Sequence, residues 1–286
     1  MNLNIAKLHR EKSLKELLEF GILNIDKPAG MTSFDVSDFV KKTLKLRKTS
    51  HFGTLDPMVT GVLPIALNRA VKLTGFFLGE DKEYEGVMRI HKDVSLEEIK
   101  KAINEKFLGK IMQKPPVKSR VKRQEREREI KVFELTEKKG KDIIFETEVQ
   151  GGTYIRKLIH DLGEYMNIGM HMTQLRRMRA GIFKIENSIP LKDIEKLAEN
   201  LEKLKEKIIP AEIICEVYPS VNAKDESVKQ LLTGKPVYYD DVIDVKDKIK
   251  AEKGQIICLF NKNKLIGMFR VFNEEKIFAK PEFVLN

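Results

Sequence analysis

The chain has 286 residues, 42% of them hydrophobic, enough for a folded core in one large domain or two. It carries 53 Lys and Arg against 43 Asp and Glu, a formal net charge of +10 that suits an anionic partner. Two cysteines far apart in sequence, Cys215 and Cys258, exclude a disulfide scaffold and a C-x-x-C zinc site, and no apolar run reaches the ~18 to 20 residues of a membrane span. The mixed-charge N-terminus shows no signal peptide, so the expected location is the reducing cytoplasm.

In chain order, 13–20 reads as a short helix with Ser13 as cap, and 22–26 as a strand. Helical periodicity runs over 34–46. Strands are expected at 83–91 and 143–150. Ser95 with Glu98 three residues later forms a capping box that opens a helix. A glycine turn precedes a helix over 153–166. Leu191, Ile194, Leu197, Leu201, Leu204 and Ile208 recur at steps of three or four, predicting one amphipathic helix of about five turns. Its apolar face packs on its own domain or pairs with a partner helix. After Pro210, short strand-like runs at 256–260, 265–272 and 277–279 alternate with polar turns, a β-rich tail. Strands and helices without a strict β-α-β rhythm give an α+β class.

Basic residues cluster at 41–48, 110–131 and at Arg176, Arg177 and Arg179. Such clusters either track a phosphate backbone or form a solvated face. Asp56 sits in His51-Phe52-Gly53-Thr54-Leu55-Asp56-Pro57-Met58-Val59-Thr60-Gly61-Val62-Leu63-Pro64, a turn-rich segment with glycines and prolines on both sides. Two readings stand: an Asx-type turn that uses the carboxylate on its own backbone, or a carboxylate held out as nucleophile, base or electrostatic stabiliser.

The segment resembles the H-x-G-x-L-D-P-x-x-T-G-x-L-P signature of TruB-type pseudouridine synthases. Four further blocks match in order: 21–33 with its K-P-x-G turn, Lys82-Glu83-Tyr84, Gly151-Gly152-Thr153-Tyr154-Ile155-Arg156, and Gly169 to Arg177 with its G-x-H and L-R-R elements. Gln113-Lys114-Pro115-Pro116-Val117-Lys118-Ser119-Arg120-Val121-Lys122-Arg123 resembles the dyskerin branch, and the lack of long Lys-rich tails points to its archaeal side.

The resemblance implies a mixed-sheet catalytic domain over 20–212, an N-terminal extension (1–19) packing on the C-terminal domain, and a small PUA-like RNA-binding barrel over 213–286. It implies isomerisation of uridine to pseudouridine in rRNA or tRNA, directed by a box H/ACA guide RNA with small particle proteins as partners. The alternatives are a stand-alone enzyme for the TΨC loop of tRNA, and a non-catalytic RNA-binding scaffold. No redox change occurs, so no cofactor is required, and no dinucleotide or phosphate-loop motif is present.

Asp56 is implied as the essential carboxylate, attacking C1′, attacking the base, or taking the C2′ proton. Tyr84 is implied to stack on the uracil, and Arg156 to pair with Asp56, keeping it ionised and fixing its direction. His51 holds the displaced base or is a hydrogen-bonded loop histidine. Leu175 lines the pocket. Lys27, counted with the substrate-binding residues, shapes with Pro28 the floor behind the loop. Gly151 and Gly152 read as a tight turn.

Overall fold

Alternation of apolar and polar residues builds most of the strands, and capping boxes set several helix starts. The computed structural model describes residues 3–115, 122, 124–243 and 251–285. Most of the dyskerin-like 113–123 segment and part of the 110–131 basic run lie outside the described residues. The elements are α1 (Ile5–Glu11), α2 (Leu14–Glu19), β1 (Gly21–Lys27), α3 (Ser33–Thr43), β2 (Thr49–His51), β3 (Thr60–Leu67), α4 (Thr74–Leu78), β4 (Lys82–Ile90), α5 (Leu96–Lys106), β5 (Gly109–Gln113), β6 (Arg126–Lys139), β7 (Asp142–Val149) and α6 (Ile155–Tyr165). They continue with β8 (Met170–Ala180), β9 (Phe183–Lys184), β10 (Ile189–Pro190), α7 (Ile194–Glu199), α8 (Leu201–Lys207), β11 (Ile209–Pro210), β12 (Ser220–Asn222), α9 (Val228–Leu232), β13 (Val237–Tyr238), β14 (Ile256–Asn261), β15 (Lys264–Val271) and β16 (Ile277–Val284).

The chain forms two compact units. The first comprises Leu23–Ile65 and Thr74–Asn200. Its strands lie in the order β10-β1-β3-β8-β4-β7-β6-β5, with β2 on β3 and β9 on β8. Parallel pairing of β3 with β8 and antiparallel pairing elsewhere along β8-β4-β7-β6-β5 make it a mixed sheet. β3 is buried along nearly its whole length, the continuous apolar run of a central strand. In β4 burial alternates, so Lys82, Tyr84, Gly86, Met88 and Ile90 share the inner face. Gly61, at φ +100°, lies so close to β8 that an added Cβ would stand 2.2 Å from the Arg177 carbonyl oxygen. Only glycine permits that approach.

The second unit comprises Met1–Ile22, Ala66–Leu73 and Leu201–Asn286. Ser13 and Glu16 form the capping box of α2. The N-terminal segment packs on the stretch that follows Leu201: His9 Nε2 bonds the Lys205 carbonyl at 2.8 Å, and Lys12 reaches Glu212 at 2.5 Å. Burial dominates at Glu212 and raises its pKa despite the Lys12 partner. A five-stranded sheet follows in the order β12-β14-β15-β16-β13. A bridge between Ala223 and Val242 ties the segments after its two edge strands, with Ile243 N–H donating to the Asn222 carbonyl at 2.8 Å. This joins the ends into a small barrel around Val221, Leu231, Val237, Leu259, Phe269 and Phe278. The α+β class and the β-rich tail are therefore present.

Two expectations need correction. The five-turn helix over 191–208 is broken at Asn200, which is extended at φ −121°, ψ 92°. α7 buries Ile194 in the first unit, and α8 buries Leu204 in the second. The apolar period is honoured by two short helices that serve different cores. The arginines at 176–179 form no free phosphate-tracking cluster. Arg177 is 1% exposed, Arg176 pairs with Asp26 at 2.7 Å, and Arg179 pairs with Glu83 and Glu148 at 2.6 and 2.9 Å. No helix among the described residues is long and apolar enough to cross a membrane.

Candidate active site

The loop that carries Asp56 is fixed from beneath by backbone contacts. Phe52 is 1% exposed and stacks on Phe77 at 4.6 Å, anchoring the loop's entry. Asp56, Pro57, Met58 and Val59 form a tight turn, closed by the Val59 N–H on the Asp56 carbonyl at 3.0 Å. Pro57 stands second in it, where its fixed φ favours the turn. Ser33, the first residue of α3, donates its hydroxyl to the Leu55 carbonyl at 3.0 Å and accepts the Leu55 N–H at 2.8 Å. Both backbone groups of the residue before Asp56 are thereby clamped by one buried hydroxyl.

Two buried cations complete the support and a third holds the turn between α4 and β4, each bonded to backbone carbonyls. Lys27, fully buried, donates to the carbonyls of Pro28, Pro57 and Val59 at 2.8, 2.9 and 2.8 Å. Those bonds use all three ammonium protons, so Lys27 has no donor left for substrate and is corrected from a binding residue to loop support. Burial lowers its pKa, opposed by the charges of Asp56 and Asp35. Arg177 donates to the carbonyls of Val62 and Gly53 at 2.7 and 2.9 Å. Lys82 donates to the carbonyls of Leu78 and Glu80. Burial, reinforced by Arg177, brings the Lys82 ammonium down to about 8.

On this support the Asp56 carboxylate meets the Arg156 guanidinium, the ion pair expected from the sequence. The two side chains remain 52% and 61% exposed, so the carboxylate is accessible to a substrate. Arg156 is the second residue of α6. Gly151 before it touches the Gly79 backbone, where an added Cβ would lie 2.6 Å from a carbonyl oxygen, and Gly152 has φ +86°. The glycine pair is thus a tight turn and a close packing contact.

Tyr84 is 8% exposed and stands in register with Arg177 across β4 and β8, on the face it shares with Lys82. Leu175, also 8% exposed, lies opposite Gly86 in the same ladder. His51 Nε2 lies 3.1 Å from the Thr54 hydroxyl. Burial, then the Arg177 charge, lowers its pKa and favours the neutral ring. Sequence reasoning missed the backbone-holding roles of Ser33, Lys82 and Arg177, although all three stood inside the motifs. The usable signal was polar residues embedded in apolar or turn segments, which must find partners when buried.

Residues 41–155 match the TruB family pseudouridylate synthase N-terminal domain, and residues 156–216 match the tRNA pseudouridylate synthase B C-terminal domain. The chain belongs to the TruB family of pseudouridine synthases. It is 38% identical over 256 residues to a probable tRNA pseudouridine synthase B of Methanopyrus kandleri, covering 87% of this chain and 75% of that protein. It is 42% identical over 234 residues to a protein of the same name in Methanocaldococcus jannaschii, covering 80% of this chain and 69% of that one. Among solved structures, a chain of a Cbf5-Nop10-Gar1 complex superposes with a TM-score of 0.87 at 33% identity, covering 96% of this chain and 88% of that chain. A chain from an H/ACA RNP bound to a substrate RNA containing 2'-deoxyuridine gives 0.84 at 32% identity, covering 97% and 89%.

Proposed function

We propose that this chain converts uridine to pseudouridine in RNA as the catalytic subunit of a guide-RNA-directed box H/ACA particle. The observation that carries the chemistry is an accessible carboxylate, Asp56, paired with Arg156 on a loop whose backbone is held at Gly53, Leu55, Pro57 and Val59. Breaking the N1–C1′ bond and joining C5 to C1′ needs a fixed carboxylate at the sugar. It also needs a base taken out of its stack. Asp56 supplies the first, and Tyr84 the aromatic face for the second. Neutral His51 and Leu175 contact the displaced nucleotide. Small particle proteins and the β-rich tail over 213–286, acting as a PUA-like module, hold the guide. The 1–19 extension and the 20–212 catalytic region complete the proposed organisation, working in the cytoplasm on rRNA or tRNA.

Likeness to chains solved in H/ACA complexes favours the guide-directed reading. The names of the curated relatives favour the stand-alone reading, modification of a tRNA. One experiment separates them. Purified protein is incubated with tRNA transcript, and separately with small particle proteins, a two-hairpin guide and its target, and pseudouridine is mapped. The modified position should follow the guide when its pairing arms are changed. A position that stays fixed, with full activity lacking any guide, establishes the tRNA enzyme. Asp56→Asn should abolish turnover in either setting while leaving RNA affinity nearly unchanged.

A further inference from the structure

An ion pair with both side chains more than half exposed cannot hold itself in one geometry. Such pairs contribute little and are screened by salt. The direction of the Asp56–Arg156 pair must therefore come from the backbone beneath each partner. On the Asp56 side Ser33, Lys27 and Arg177 supply it. The Arg156 side depends on the first turn of α6, whose opening donors have no partner inside the helix. Tyr154, at the N-cap, makes no side-chain capping bond.

The carboxamide of Gln113 instead holds the backbone of this N-cap residue. Its Oε1 accepts the Tyr154 N–H at 2.8 Å, and its Nε2 donates to the Tyr154 carbonyl at 3.1 Å, an oxygen that also accepts the Leu158 N–H at 2.9 Å. Gln113 is 3% exposed and is the last residue of β5, in register with Arg126 of β6. One amide side chain thus grips both backbone groups of the residue two positions before Arg156. On the other side one Ser33 hydroxyl grips both backbone groups of the residue before Asp56. We propose that Gln113 is a positioning residue for the reaction, fixing the first turn of α6 so that the Arg156 guanidinium meets the Asp56 carboxylate in the productive direction.

The proposal rests on the assignment of Asp56 and Arg156 as reacting machinery, and a double-mutant cycle tests the two separately. Single-turnover pseudouridine formation and RNA Kd are measured for wild type, Gln113→Met, Arg156→Ala and the double variant, with urea unfolding as a control for folding. Gln113→Met keeps the volume and loses both bonds. It should slow single turnover about ten-fold, since both fastenings of the helix start are lost, and leave RNA Kd within about two-fold. With Arg156 already removed, the same change should have almost no further effect. An equal factor in both backgrounds, or an unchanged rate in a folded Gln113→Met protein, overturns the positioning role. An Arg156→Ala protein with wild-type rate instead overturns the site assignment. Gln113→Glu keeps the acceptor for the Tyr154 N–H and should fall between wild type and Gln113→Met. If Gln113→Met does not fold, a Gln113→Glu rate equal to wild type, or the same Gln113→Glu loss in both backgrounds, overturns the proposal.

Discussion

Lys27→Met removes the ammonium from beneath the Asp56 loop while keeping a chain of similar length. Three bonds of 2.8 to 2.9 Å disappear. The Pro57 carbonyl keeps the Gly30 N–H at 2.9 Å, and Pro28 is exposed enough to take water instead. The Val59 carbonyl belongs to a residue only 4% exposed and is left without Lys27. An orphaned buried acceptor costs about 1–3 kcal/mol, and the two remaining lost bonds add about 0.5–1.5 each. Relief of the ammonium's desolvation, visible in the lowered Lys27 pKa, returns part of this. The net expectation is a loss of about 2–3 kcal/mol in urea unfolding followed by circular dichroism. Pseudouridine formation should fall further than the folded fraction, because the orphaned Val59 carbonyl belongs to the residue whose N–H closes the turn on Asp56. Lys27→Arg keeps the charge but presents a planar fork to three carbonyls arranged around a tetrahedral donor, so it should fall between the two. A Lys27→Met protein as stable and as active as wild type would refute the argument.

Tyr84→Leu keeps apolar volume on the inner face of β4 and removes the stacking surface. A stacked base contributes ~1–3 kcal/mol, so productive RNA binding should weaken about five- to 150-fold with little change in unfolding. An unchanged rate and affinity would mean that the ring serves only packing. Lys82 titrates at about 8 in the folded chain against 10.5 when unfolded. Between those values the unfolded chain binds more protons, so stability should rise with pH by up to about 3 kcal/mol from this group. Denaturant midpoints measured from pH 7 to 10 should show that rise in wild type and lose it in Lys82→Met.

The elements most legible in the sequence were those with local chemistry. The capping boxes at Ser13 and Ser95 and the strand at β4 follow from the identity of adjacent residues. β6 was hidden because its outward positions are Arg, Glu and Lys, so it read as a charge run, although Ile130, Phe133 and Leu135 are its buried side. The break at Asn200 was invisible because the apolar steps continue across it, and only the division between two cores reveals it. At the site, the loop motif and the Arg156 partner were legible as types. Apart from the bond of Lys27 to its neighbour Pro28, the supporting bonds of Lys27, Ser33, Arg177 and Gln113 join residues from 22 to 124 positions apart. No local pattern encodes such separations.

Three buried cations that hold carbonyls rather than carboxylates give the loop and the turn between α4 and β4 an asymmetric tolerance to mutation. A backbone oxygen cannot be substituted away, so the accepting positions Pro28, Pro57, Val59, Val62, Leu78 and Glu80 keep their half of each bond under any side chain that preserves the turn, while Gly53, at φ +92°, is the exception. The donors have no such protection: Lys27, Lys82 and Arg177 each serve two or three oxygens at once. A saturation library across these positions should therefore divide along the donor–acceptor line. Broad acceptance is expected at tip residues such as Met58, 73% exposed, and near-total intolerance at the three cations, all of them outside the loop's own sequence.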